Sequence, residues 1–135
     1  MADALVRLGL RHAMVVHGLD GMDEATTTGP TEFLDVHGGR VSEGWLEPGS
    51  LGLPRATPEA LRGGDVAHNA RIARDVLAGK RSPARDLVAL NAGCALYVAG
   101  RAPTVRAGVE QASAVLEAGA PLALLERVKE FSHAR

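Results

Sequence analysis

Asp23 and Glu24 stand side by side in the stretch AMVVHGLDGMDE, directly after a short apolar run and a glycine-punctuated loop. A turn needs one polar residue at such a place, and two adjacent acids raise a second possibility, a cation site. Mg²⁺ is held by one or two carboxylates, keeps several waters and takes further oxygens from substrate phosphates. Two acids in a loop fit that partial coordination better than a complete protein cage. The plain alternative is a solvated acidic turn. At the C-terminal end of a buried strand, where α/β proteins bind ligands, the two readings stand about level.

The other candidates are weaker. His17 ends the same apolar run and is placed for proton transfer, though a histidine there more often orders the loop through a backbone hydrogen bond. The five histidines show no HxxxH spacing, so a histidine metal site is not expected. Thr26, Thr27 and Thr28 offer hydroxyls near the acids, or simply a polar turn. Gly63 and Gly64 precede a helix and could cradle a phosphate, but Asp65 at the cap would repel an anion. Cys94 lies among small apolar residues with no local cation and reads as inert packing.

The elements that must hold these residues are legible by period and punctuation. Ala13 to Val16 is continuously apolar, which predicts a strand covered on both faces, as in a parallel sheet, with no partner of its kind elsewhere in the chain. Glu32 to Val36 and Arg40 to Leu46 flank His37-Gly38-Gly39 and predict an antiparallel hairpin. From Thr57 onward the pattern is helical. Asp65, Ser82 and Thr104 are N-caps, Gly79 and Gly119 are stops, and Pro121 opens the last helix. Pro83 to Ala99 is apolar nearly all round and is expected to be the most buried. Leu124, Leu125, Val128 and Phe131 are expected to face inward. One strand, a hairpin and four helices predict an α/β fold that is the C-terminal portion of a larger α/β domain.

Composition narrows the functional classes. A net charge of -1 gives no support for general nucleic-acid binding. No apolar stretch nears the roughly 20 residues of a membrane helix, and the start lacks a secretory signal, so a cytoplasmic location is expected. One cysteine excludes an intrachain disulfide. With 3% aromatic residues, the core has to close by backbone approach at Ala and Gly instead of bulky anchors.

VVHGLDGMDE, then TGPTEF, GLPRATPEALRGGD and HNARIARDVLAGKRSPARDLVALNAGCALYVAG, in that order, resemble the anthranilate phosphoribosyltransferase family over essentially the whole chain. The resemblance implies a phosphoribosyltransferase/nucleoside-phosphorylase-like α/β domain, of which residues 1–135 are the C-terminal part. It implies an enzyme of the glycosyltransferase class that moves phosphoribosyl from phosphoribosyl pyrophosphate to anthranilate in tryptophan biosynthesis, as a homodimer when complete. Its Mg²⁺-binding acidic pair maps onto Asp23 and Glu24. The family's N-terminal helical domain, phosphoribosyl-pyrophosphate loop and anthranilate contacts lie upstream of the matching region, so this segment alone is expected to be inactive. Relatives that bind nucleic acid have lost the acidic pair, and an isolated C-terminal part could also serve as a scaffold. The retained acids favour the enzyme, with no nucleic-acid or membrane partner.

Overall fold

The computed structural model describes residues 1–133. A short helix α1 (Ala2–Arg7) leads into three strands, β1 (His12–Gly18), β2 (Thr31–His37) and β3 (Arg40–Leu46). Two 3₁₀ turns, Pro48–Leu51 and Pro58–Leu61, carry the chain to four helices. These are α2 (Val66–Leu77), α3 (Pro83–Val98), α4 (Val105–Glu117) and α5 (Ala120–His133). The architecture is α/β. Among the described residues, no helix is long and apolar enough to cross a membrane.

The sheet corrects one expectation. The strand containing Ala13 to Val16 is not unmatched: β1 pairs antiparallel with β2, from His12 opposite His37 to Gly18 opposite Thr31. Strand order is β1-β2-β3, so among the described residues the other edge of β1 has no strand on it. Nor is β1 fully covered, since Ala13 to Val16 are all half-buried. The unbroken apolar run reflects partial cover on both faces. It carries no information about strand direction, which the connection between β1 and β2 sets. The hairpin is as expected, with Gly38 at φ 57° and Gly39 at φ 77° in its two-residue turn.

The helix signals hold at atomic detail. The side chains of Asp65, Ser82 and Thr104 accept from the N–H groups of His68, Arg85 and Ala107. Gly64 N–H donates to Asn69 Oδ1 at 2.8 Å, so Gly63-Gly64 is a helix junction whose backbone is already occupied. Cys94 is buried, and burial pushes its thiol up to about 11, which leaves it unreactive at neutral pH.

Small residues close the core, as the composition requires. Gly93 of α3 and Gly108 of α4 touch at the helix crossing: a Cβ on Gly93 would lie 2.6 Å from Val109 N, and one on Gly108 would fall onto the Gly93 carbonyl. Around this contact Leu90, Cys94, Val105 and Val109 join Leu46, Leu51, Leu53 and Ala25, with Met14 and Phe33 reaching in from the sheet. A second cluster, Val76, Ala89, Ala112 and Leu116, ties α2 to α3 and α4. The buried Arg85 bridges α3 to α4 through Ser113 O and Glu117.

α3 is the most buried helix, as expected, with Pro83, Val88 and Ala95 its only exposed residues. The inward face expected on α5 fails. On α5, Leu125 is half-buried, but Leu124, Val128 and Phe131 face solvent at 54–76% exposure. Periodicity identified an apolar stripe on α5, and within these residues α4 and α2 are the elements that lie against that helix.

Candidate functional site

The loop between β1 and β2 begins with a tight turn. Gly18 N–H donates to Met22 O at 3.0 Å and Gly21 N–H donates to Gly18 O at 2.9 Å, with Gly21 at φ 91°. Asp20, at the tip, organises the remainder of the loop. Its carboxylate accepts from Met22 N–H at 3.1 Å, from Thr26 Oγ1 at 2.8 Å and from Thr28 Oγ1. Gly18 leaves room for it, since a Cβ there would lie 2.5 Å from Asp20 Oδ1 and push that carboxylate aside. The three threonines are buried, and two of their hydroxyls are spent inside the loop. Thr26 and Thr28 thus form a polar turn, while the buried Thr27 hydroxyl has no hydrogen-bond partner among the described residues.

Asn91 fixes the loop from the other side. From the middle of α3 its side chain accepts from Ala25 N–H at 3.1 Å and donates to Ala25 O at 2.8 Å. This two-point clamp acts on the residue directly after Glu24. Arg55 adds a hydrogen bond from Nε to Thr28 O at 2.8 Å. The acidic pair is therefore carried between two anchored points, Asp20 and Ala25.

Among the described residues, neither Asp23 nor Glu24 has a hydrogen-bonded or ion-paired side-chain partner, while Asp20 has three donors. Asp23 is exposed and Glu24 half-buried. Burial, with the neighbouring Asp23 charge behind it, raises the Glu24 carboxyl above its ordinary value. Two adjacent carboxylates without counter-charge, on a loop whose backbone is pinned at both ends, form a hard oxygen donor set open to solvent. That donor set fits Mg²⁺, which needs few protein oxygens and retains its waters.

His17 is not part of this arrangement. It lies exposed on β1 opposite Glu32 and, among the described residues, makes no hydrogen bond that orders the loop. Asp20 and Asn91 take that role, and sequence reasoning missed both. The signals were present: an Asp-Gly pair at a turn, and one amide in an otherwise apolar stretch of α3.

Asp20 gives the loop a pH response. Burial alone would push its carboxyl up, but the hydrogen bonds from Thr28, Thr26 and the Met22 N–H outweigh it and hold the group below its ordinary 3.8. A depressed folded value means stability present above 3.8 and lost as pH falls from there through the folded value. The Thr26 and Thr28 amide NMR signals should stay fixed at neutral pH and move as pH drops below about 4. Asp20→Asn should abolish that acid step. Identical acid titrations in both proteins would remove Asp20 from this role.

The chain belongs to the glycosyl transferase family, a/b domain, which matches residues 1–122. It is 55% identical over 133 residues to the anthranilate phosphoribosyltransferase of Rubrobacter xylanophilus, across 98% of this chain and 39% of that protein. It is 44% identical over 135 residues to the same enzyme of Solibacter usitatus, covering 40% of it. The crystal structure of anthranilate phosphoribosyltransferase from Thermus thermophilus superposes with a TM-score of 0.85 at 42% identity, over 93% of this chain and 37% of that one. The resemblance read from the motifs is thus borne out. The chain spans about two fifths of the length of the curated relatives it matches.

Proposed function

We propose that this chain is the part of an anthranilate phosphoribosyltransferase that carries the metal-binding loop, with Asp23 and Glu24 as the Mg²⁺ ligands. The observation that carries the reading is the unpaired acidic pair at the end of β1, pinned through Asp20 and Asn91. In this reading the substrates of the complete protein are phosphoribosyl pyrophosphate and anthranilate, and it works as a homodimer. Bound Mg²⁺ supplies Lewis-acid stabilisation of the charge that builds on a departing pyrophosphate.

The residues of this chain have a narrower task. Asp23 and Glu24 offer the carboxylate oxygens. Asn91 and Asp20 hold the backbone on either side, so the two carboxylates are presented without a search through loop conformations, and orientation of this kind supplies much of an enzyme's rate. Glu24, half-buried beside a like charge, gains from a cation that relieves both penalties.

The test is the double substitution Asp23→Asn with Glu24→Gln in the complete enzyme containing this segment. Losing a partner outside a metal's direct ligands costs roughly 10- to 100-fold in affinity or activity, so losing two ligand charges should cost at least that. Half-maximal turnover should require at least about tenfold more Mg²⁺. The thermal melt should not fall, since no hydrogen bond of either side chain is removed. Unchanged Mg²⁺ dependence in the double variant would sink the assignment.

A further inference from the structure

The β1–β2 register places a second group of ligand-type side chains at the far end of the sheet from the acidic loop. His12 at the start of β1 sits directly across from His37 at the end of β2. Asp35, two residues before His37, projects from the same face. One potential ligand atom from each of the three lies within 4.8 Å of the other two. The imidazoles of His12 and His37 stack with centroids 4.3 Å apart and planes 9° apart. His12 Nε2 is 2.9 Å from Asp35 Oδ1, and the second carboxylate oxygen accepts from Tyr97 OH of α3 at 2.8 Å. His12 and Asp35 are shielded, at 12% and 11% side-chain exposure, while His37 is exposed. The group opens on a cavity of about 440 Å³ that His12, His37, Tyr97 and Arg101 help to line.

We propose that His12, Asp35 and His37 bind a divalent transition-metal ion of the Zn²⁺ type, which ties β1 to β2 at this end of the ladder. Two imidazoles and a carboxylate are the donor set that selects Zn²⁺, Cu²⁺ or Ni²⁺ over Mg²⁺. Three protein ligands leave a fourth position for water, which the cavity supplies. Tetrahedral zinc needs ligand atoms about 3.3 Å apart, closer than the 4.8 Å within which these lie, so binding requires the exposed His37 ring to turn out of its stack on His12. Tyr97 is a positioning residue: its hydroxyl fixes the Asp35 carboxylate, as outer-shell partners do in metal centres. On binding, the ion takes the place between His12 Nε2 and Asp35 Oδ1, and any proton on Nε2 moves to Nδ1 of the same ring or to solvent. An anion is the less fitting occupant despite Arg101, because Asp35 carries negative charge in the cluster itself.

Spacing along the chain hides this cluster. His12 and His37 are far apart in sequence and meet only because the antiparallel register pairs them.

The experiment is titration of the metal-free chain with Zn²⁺ by calorimetry, and with Co²⁺ by visible absorption, with Mg²⁺ as a control ion. The wild-type chain should bind one Zn²⁺, give tetrahedral Co²⁺ bands, and melt at a higher temperature with metal than without. His37→Gln, an exposed change at the hairpin turn, should weaken Zn²⁺ binding at least about tenfold, as should His12→Gln, and Tyr97→Phe should weaken it by roughly 10- to 100-fold. Asp23→Asn with Glu24→Gln should bind Zn²⁺ as wild type does. Circular dichroism of each metal-free variant checks folding, and should His12→Gln unfold, His37→Gln decides alone. Absence of saturable Zn²⁺ binding overturns the proposal. So does wild-type affinity in His37→Gln, or loss of binding in the acidic-pair variant, since each would place the ion elsewhere.

Discussion

Gly108→Ala should destabilise the chain by about 2 kcal/mol, although alanine is the better helix former. In a helix interior the change ordinarily gains about 1 kcal/mol. Here the added methyl would fall on the carbonyl of Gly93, closer than Cβ atoms come to any backbone. Both sides of the contact are main chain of α3 and α4, so no side chain can rotate away. Overpacking a tight core costs about 1–3 kcal/mol, and an encounter with backbone belongs at the upper end or beyond. The helices would have to separate, loosening Leu90 and Val109, which are fully buried beside the crossing. Gly49→Ala is the control, because a Cβ there meets nothing within 4 Å and its φ is not positive. Urea unfolding of the two variants checks the contrast. A Gly108→Ala protein as stable as the wild type would mean that α3 and α4 do not touch at these glycines.

Asn91→Ala should cost about 2–4 kcal/mol and should loosen the acidic loop, because a buried backbone group left without a partner costs about 1–3 kcal/mol and here there are two. The substitution removes both partners of Ala25, which is 0% exposed and whose N–H and C=O are held by the Asn91 amide. The loss should also reach function as proposed above, because Ala25 follows Glu24 and its clamp fixes where the acidic pair points. Asn91→Asp separates the two effects. It keeps an acceptor for Ala25 N–H but faces Ala25 O with negative charge. A chemical-denaturation curve measures the first effect. Hydrogen exchange at Ala25, which should rise in Asn91→Ala, measures the second. Unchanged exchange at that amide would show that the loop holds itself.

Much of this was legible in the chain. The caps at Asp65, Ser82 and Thr104, the stops at Gly79 and Gly119 and the turn at Gly38-Gly39 depend on a few neighbouring residues, and local chemistry decides them wherever they occur. The candidate acids were legible for the same reason, since Asp23 and Glu24 are adjacent. The inert character of Cys94 followed from its apolar neighbours. The close-packed style of the core followed from the scarcity of aromatic side chains.

What tertiary structure decided were the long-range pairings. A continuous apolar run says that β1 is covered but not by what, so it points to a parallel partner where the fold pairs β1 antiparallel with β2. An apolar stripe on α5 says which face avoids water, and only the placement of α2 and α4 shows that Leu124, Val128 and Phe131 stay exposed. Asp20 and Asn91 lie far apart in sequence and meet the loop from opposite sides. Their part in holding Asp23 and Glu24 is written in hydrogen bonds to Thr26, Thr28 and Ala25 that no spacing rule anticipates. The meeting of His12 with His37 is of the same kind. Residue type and local period follow from chemistry within a turn or two of chain, whereas register and clamps exist only once distant segments have paired.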